Sequence, residues 1–466
     1  MAEGPTLQLA AFVSGVEYQR LPQPVRDRLF VLFLDYLRVA SIGERMSWSK
    51  WATELARKLG GRGGARVLFS EETLDPVRAT FVNSTFAGSI DADDVHVGAM
   101  LHPGCIVYSA ALAIAQDRAL PGSSVLAAVA AGYEAMIRIA LAIQPSHFRR
   151  GFQSTATCGA FGAAAAAAHL LFSGTDRVRR IAETVGLAAS FCGGLTQFYH
   201  SGSTVKRIHA AHAAAEGVGA ALMAEAGFSG PTDILEGKDG FARAYADAVN
   251  FDLLTGELGS RYRLMEVAVK PHACSARIQA AIEATGELAR KHAARLPEVK
   301  AVTVGIPKVI QGRLTVNEPS DIQAAQMSVP FCVALTIAHG DRIAPGFALN
   351  VDDFEAGMKD TAVLDLARRV ECVLDADVER VSGVESVGAK VSLNLKSGAA
   401  GSVFVEVPKG AAARPFTRED HIDRFRHELA RRYASATCDA LVETIRNFGG
   451  LGDVNVLGRQ LAASGR

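Results

Sequence analysis

The feature that most constrains this chain is a series of long, alanine-rich apolar segments in its first half. Ser123 to Ile143 and Gly159 to Phe172 are both rich in Ala, the strongest helix former, with larger apolar residues interspersed or at their ends. Helices faced with small residues approach one another closely, so these segments are expected to form a tightly packed, mostly buried bundle. An Ala-Ala-Ala run can also be a low-complexity linker, but the flanking large apolar residues favour helix. Pro24 to Ala40 adds an amphipathic helix, with Val25, Leu29, Leu32, Phe33 and Tyr36 at spacings of three and four behind an early Pro. At 466 residues the chain exceeds what one core usually supports, so more than one unit is expected.

The texture changes near residue 266. Val299 to Ile306 alternates and is β-branched, as in a half-buried strand, while Lys390 to Leu395 and Ser402 to Val407 read as a hairpin. Helical patterns lie between them, at Asp321 to His339 and Ala362 to Val373. After Pro415, Thr417-Arg-Glu-Asp420 has the pattern of a capped helix start, and helix continues to about residue 446. The fold class expected is therefore mainly α. A large all-helical domain, discontinuous over residues 1–265 and 412–466, carries a smaller inserted α+β domain at 266–411. No repeat at a solenoid period is evident.

Several function classes lose support from composition. Lys plus Arg equals Asp plus Glu at 49 each, which removes any bulk electrostatic argument for nucleic acid or an anionic membrane as partner. The longest largely apolar run, Gly159 to Leu171, is too short to span a bilayer. The opening Met1-Ala-Glu-Gly-Pro, with mixed polarity after it, does not resemble a signal peptide. The seven cysteines are scattered, odd in number and free of any CxxC pair. Reduced thiols and a cytoplasmic location are the expectation.

Chemistry is concentrated in a few polar stretches beside this apolar sequence. Asp91-Ala-Asp-Asp-Val-His-Val-Gly-Ala-Met-Leu-His-Pro-Gly104 packs Asp91, Asp93, Asp94, His96 and His102 between two apolar regions. Ionisable groups near a core must be paired or hydrogen-bonded, and such groups acquire the shifted pKa values that proton transfer needs. A solvated loop with a helix cap is the plainer alternative. Arg149-Arg150-Gly-Phe-Gln153 precedes an Ala-rich helix, where Arg150 can fork a carboxylate or the residues can simply cap. Lys206, His209 and His212 are spaced by three and can share one helical face, with Lys206 as a candidate base or only a surface lysine. Val269-Lys270-Pro-His-Ala-Cys-Ser-Ala-Arg277-Ile-Gln279 sits at the proposed domain join, which is either a ligand site or a solvated hinge. Asp93, Asp94, His96 and His102 match no metal-site spacing, so no metal is expected. No G-x-S-x-G elbow or P-loop occurs, and Gly60 to Ala65 reads as a surface turn.

Taken together these segments resemble the MmgE/PrpD family, which includes 2-methylcitrate dehydratase, cis-aconitate decarboxylase and iminodisuccinate epimerase. The matching stretches are Asp91-Ala-Asp-Asp-x-His with His102-Pro-Gly, Gly132-Tyr-Glu134, Arg150-Gly-Phe with Thr155 and Gly159, and Lys206-Arg-Ile-His209. They continue through Gly227-Phe-Ser-Gly-Pro231, Leu235-Glu-Gly, Gly240-Phe and Val269-Lys270-Pro. The resemblance implies an α-helical domain with an α+β lid, a homodimer, and a cofactor-free site between the domains for a small di- or tricarboxylate. It places Asp91, His102 and Lys206 at catalytic positions. Lys270 opens the family's K-P segment, and substrate binding is expected from Lys270, Arg150, Gln153, Gln279, His209 and Asp93.

The departures bear on the reaction. Val95 stands where family members have Thr, Gln153 where a G-F-H segment has His, and Gln279 where the K-P segment ends in His. Glutamine hydrogen-bonds but does not relay a proton. Losing two proton carriers harms leaving-group chemistry most, whereas moving a proton between the faces of a carbon α to a carboxylate needs only Lys206 and His102. The expectation drawn is an epimerase of an imino- or amino-dicarboxylate such as iminodisuccinate. The alternatives are a dehydratase or decarboxylase of a citrate-like tricarboxylate, or a non-catalytic binder.

Overall fold

In the computed structural model, which describes residues 4–201, 203–343, 347–383 and 385–463, most of the chain is helical. Its first half is built around α1 (Gln23–Gly43), α2 (Pro76–Gly88), α3 (Gly104–Asp117), α4 (Gly122–Ile143), α5 (Ser154–Leu171) and α6 (Lys206–Glu225). Small residues set how close these helices come. A Cβ at Gly132 on α4 would lie 2.8 Å from the Gly162 carbonyl on α5, and one at Gly159 would lie 2.3 Å from Ile106 on α3. Every residue of α5 from Ser154 to His169 is buried. Helix α4 exceeds the apolar run singled out above and is long and apolar enough to cross a membrane, but 94% of that window is buried inside the fold. It is a core helix.

The second texture is a four-stranded mixed sheet with helices packed on it. In chain order its strands are β1 (Val299–Ile306), β2 (Val370–Leu374), β3 (Ala389–Leu395) and β4 (Ala400–Val405), in spatial order β2-β1-β3-β4. β2 runs parallel to β1, while β3 and β4 form the expected antiparallel hairpin, turning at Gly398 with φ 91°. Two helical expectations need correction. The helix expected to Val373 stops at Arg369, because Val370-Glu-Cys-Val-Leu374 pairs with β1. The β-branched pair Val370 and Val373 fits a pleated surface better than a helix end. The stretch Asp321 to His339 is two helices, Ile322–Gln326 and Val329–Ala338, since Ser328 caps the second and Pro330 restarts it.

Two apolar cores result. One runs from Leu9 to Ala273 and takes in Val351 and Ile422 to Leu461, so Arg418–Leu429 and Ser435–Arg446 pack with the first half of the chain. The other joins Cys274 to Leu395 and Val405. Arg418–Leu429 begins with the expected capping box between Thr417 and Asp420.

A buried ion pair ties α4 to the segment leading toward residue 270. Arg138 Nε donates to Glu134 Oε2 at 2.9 Å, Nη1 to the Gly256 carbonyl at 2.7 Å and Nη2 to the Arg261 carbonyl at 2.6 Å. Glu134 Oε1 accepts from the Leu264 amide at 2.9 Å. Burial lifts the Glu134 carboxyl to about 7 although Arg138 opposes it. Removing one partner of such a pair leaves the other uncompensated. Arg138→Ala is expected to lower stability by about 3–5 kcal/mol, read from the urea midpoint. A loss below about 1 kcal/mol would show that water replaces the guanidinium there.

Candidate active site

The loop between α2 and α3 carries the acidic cluster, and backbone pairing fixes its path. Val95 and the Ala268 backbone exchange hydrogen bonds of 2.9 and 2.7 Å, laying the cluster beside residues 267–270. That second segment is held on its other edge. The Val269 amide donates to Gly410 O at 2.9 Å, Arg424 Nη2 donates to Lys270 O at 2.8 Å, and Arg28 donates to Val267 O. Gly410 has φ 89°, and a Cβ there would sit 2.1 Å from Val269 O, so the approach requires glycine. Asp91 itself sits at φ 57°, in the left-handed region that aspartate enters more readily than most side chains.

Asp91 is the hub. Its Oδ2 accepts from Lys206 Nζ at 2.8 Å and its Oδ1 from Lys270 Nζ at 2.7 Å. Lys270 also lies 3.5 Å from Asp93 Oδ1, and Asp93 Oδ2 lies 3.2 Å from His102 Nδ1. His102 Nδ1 is 3.0 Å from the Asp94 carbonyl, which can only accept, so Nδ1 carries the proton and Nε2 is the nitrogen available to the pocket. Burial disfavours charge on Asp91, but Lys206, then Lys270 and His102, outweigh it and hold that carboxyl well below the usual range. For Asp93 the same contest, won by His102 and Lys270, leaves the carboxyl at about 2. Asp94 goes the other way, because burial pushes it up to about 7 despite bonds from Tyr133 and the Gly104 amide.

The two lysines on Asp91 diverge. Burial lowers the Lys206 pKa more than Asp91 raises it, with Arg207 and Lys270 adding to the fall. For Lys270 the order reverses: burial is outweighed by Asp91 and Asp93, and its pKa is raised. One ammonium is poised to give up its proton while the other is a fixed charge. Environments that push two like groups apart are how acid–base roles are assigned within one site.

A cavity of about 80 Å³ opens over this cluster. Lys206, His102, Gln153, Ser154, Tyr199 and Arg277 line its polar side, and Val95, Met100, Phe148 and Met327 its apolar side. Burial raises the Tyr199 pKa, with Asp91 adding to it, so this phenol is a proton donor at neutral pH.

The candidates drawn from sequence do not all reach this cavity. Asp91, His102, Lys206 and Gln153 line it. Lys270, expected to bind substrate, is 2% exposed and spent on Asp91 and Asp93. Asp93, expected in the same role, backs the His102 ring instead. Arg150 lies on the surface, 3.6 Å from Asp247 and over the Phe152 ring, because Gln153 rather than an anion caps α5 by accepting from the Ala156 amide. Gln279 is buried, its Oε1 on the His272 amide and its Nε2 on the carbonyls of His272, Cys274 and Ser275, so it braces the lysine-bearing loop from behind.

His209 is buried away from the cavity, with Nδ1 unpartnered and its pKa pushed down to about 4 by burial and by Lys206. His212 is exposed and faces Glu216. Steps of three residues set Lys206, His209 and His212 about 60° apart around the helix, so His212 stands about 120° from Lys206, and of the three only Lys206 lines the cavity. Sequence reasoning missed Arg277 as a cavity residue, although it stands inside the Lys270 segment. It also missed His147, buried against Thr157 at 2.9 Å behind the cavity wall.

Ligand atoms of Asp91, Asp93 and His102 lie within 4.8 Å of one another, near enough to share a cation. Both Asp91 oxygens already accept from ammonium groups, however, so a metal there would face two positive charges at contact range. The donor set fits lysine better than metal.

Asp93 makes stability pH-dependent in a defined window. Its folded pKa is below its unfolded one, so its contribution is complete above about pH 3.9. It is lost as pH falls through about 2. Asp93→Asn is expected to flatten the fall in urea midpoint between those values. An unchanged acid slope in the variant would remove the His102 and Lys270 pairing from the account.

Comparison with known proteins agrees with this architecture. The sequence model of the MmgE/PrpD N-terminal domain matches residues 7–254, and that of the MmgE/PrpD C-terminal domain matches residues 272–448. Among curated proteins, the chain is similar to a cis-aconitate decarboxylase of Aspergillus terreus (strain NIH 2624 / FGSC A1156), at 26% identity over 96% of this chain and 92% of the relative. It is also similar to the cis-aconitate decarboxylase-like protein oryM of Aspergillus oryzae (25% identity; 93% and 91% coverage). The human cis-aconitate decarboxylase is 24% identical, with 98% and 94% covered. With both domains matched in order across most of its length, the chain belongs to the MmgE/PrpD family.

Proposed function

We propose that this protein is a cofactor-independent lyase that decarboxylates a small unsaturated tricarboxylate of the cis-aconitate kind. The observation that carries the reading is the pair of lysines on Asp91, one held as a permanent cation and one made more acidic, beside a His102 ring backed by Asp93. As carbon dioxide leaves, the electron pair of the broken C–C bond passes into the conjugated carboxylate. The Lys206 ammonium then returns one proton to carbon, so each turnover consumes one proton and releases one carbon dioxide. His102, its Nδ1 proton held by the Asp94 carbonyl, presents Nε2 to the substrate, and the Tyr199 hydroxyl donates toward the oxygen on which charge develops. Lys270 keeps Asp91 ionised and in place throughout.

The expectation of epimerisation loses its ground. It treated Gln153 and Gln279 as two vanished proton carriers, but Gln279 braces a loop and does not face the cavity. Tyr199 supplies a further donor beside Lys206, so the cavity does not lack proton carriers. The relatives described above are decarboxylases, which supports the lyase alternative. Family membership also supports a homodimer and a lid formed by residues 266–411 over the remainder, both as parts of this reading.

Lys206→Met is expected to cut carbon dioxide release from cis-aconitate by about 10²–10⁴-fold with the circular dichroism spectrum intact. Wild-type protein that exchanges an α-proton for deuterium but releases no carbon dioxide would sink the lyase reading. Asp91→Asn gives a second test. Lys206 donates only while protonated, so activity falls as pH rises through its pKa. Asp91 holds that pKa up against burial. Removing the carboxylate is therefore expected to move the alkaline limb of the pH–rate profile to lower pH. An upward shift would contradict the assigned direction.

A further inference from the structure

The charges of the inner cluster cancel. Lys206 and Lys270 face Asp91 and Asp93, so the groups nearest the reacting carbon contribute no net attraction for a polyanion. The uncancelled charge lies across the cavity. Arg277 lines the wall, its amide donating to Ser275 Oγ at 3.3 Å, and its guanidinium has no carboxylate within 4.0 Å among the described residues. Arg313 carries its guanidinium over the Phe148 ring, 4.8 Å from the centroid, and is likewise without a carboxylate partner.

The acids that share a neighbouring cavity with Arg313 are engaged elsewhere. Glu318 pairs with Arg368, and Asp321 caps the helix Ile322–Gln326 through the Ala324 amide. Arg277 is depressed first by burial and then by Arg313, with the Tyr199 hydroxyl as the one group opposing. Arg277 and Arg313 meet at the wall formed by Phe148 and Tyr199 with no carboxylate on either among the described residues, and a bound anion there offsets their mutual repulsion.

We infer that Arg277 and Arg313, with the Tyr199 hydroxyl, form a binding subsite for a substrate carboxylate remote from the reacting carbon. This deepens the proposed function and rests on it, because it supposes a polycarboxylate in the cavity. Arg277 supplies the fork that selects a second carboxylate, and Arg313, more exposed, guides the anion in. Substrates with a single carboxylate lack the group that this wall recognises.

The test compares cis-aconitate with analogues in which one carboxylate at a time is a carboxamide. Wild-type protein is expected to lose about 10- to 100-fold in kcat/KM for the analogue neutralised at the remote position, mainly through KM. In Arg277→Gln the preference for acid over amide is expected to collapse to near one, and Arg277→Lys is expected to restore part of it. Arg313→Gln is expected to cost about threefold, and less at high salt. Equal losses on acid and amide in Arg277→Gln, or a preference that survives the substitution, would overturn the subsite. Calorimetric binding of tricarballylate and its monoamides gives the same comparison without turnover. If wild type binds these but never decarboxylates cis-aconitate, the lyase reading fails while the binding ratio in Arg277→Gln still decides the subsite.

Discussion

One carboxylate shared by two ammonium groups organises this molecule. Asp91 accepts from Lys206 and Lys270 on separate oxygens, in a left-handed backbone conformation. Its lysines arrive from different parts of the chain, one at the start of a long helix and one from an extended segment 179 residues away. Desolvating Asp91 and two ammonium groups together is tolerable because Asp93 supplies the second negative charge. The asymmetry between the lysines follows from that arrangement. Lys270 also meets Asp93 and stays charged, whereas Lys206 meets one acid only, borders the cavity and is the more readily deprotonated.

The bundle exists to hold that contact. Close helix crossings at Gly132 and Gly159 leave little room for movement in the helices that frame the acidic loop. Arg138 on α4 anchors the segment after α6 that leads toward Lys270. Tyr133, one turn earlier on the same helix, donates to Asp94 at 2.7 Å. A single core helix thus fixes both the acidic loop and the approach to the lysine-bearing strand.

Much of this was legible in the sequence, for reasons that can be named. Alanine-rich periodicity located the helices within a few residues, and β-branched alternation located β1 and the hairpin. It failed at Val370 to Leu374, where a helical pattern runs straight into a strand and only pairing with β1 decides between them. Polar clusters standing out against apolar sequence drew attention to Asp91, His102 and Lys206, and the family resemblance is what implied catalytic roles for them. Distinguishing a residue that faces the ligand from one that braces it was beyond the sequence. Lys270, Asp93 and Gln279 differ from Arg277 in where their polar atoms are spent, and spacing does not encode that.

The tie between Arg424 and the Lys270 carbonyl spans 154 residues of chain. Closing so long a loop is entropically slow, and nothing local to Lys270 substitutes for it. During synthesis the helical first half can compact long before the ribosome releases the helix that carries Arg424. Until then the Lys270 segment lacks the ties from Gly410 and Arg424 and keeps those from Val95 and Arg28. The segment that brings Lys270 to Asp91 is therefore completed by a helix that is among the last parts of the chain to be made.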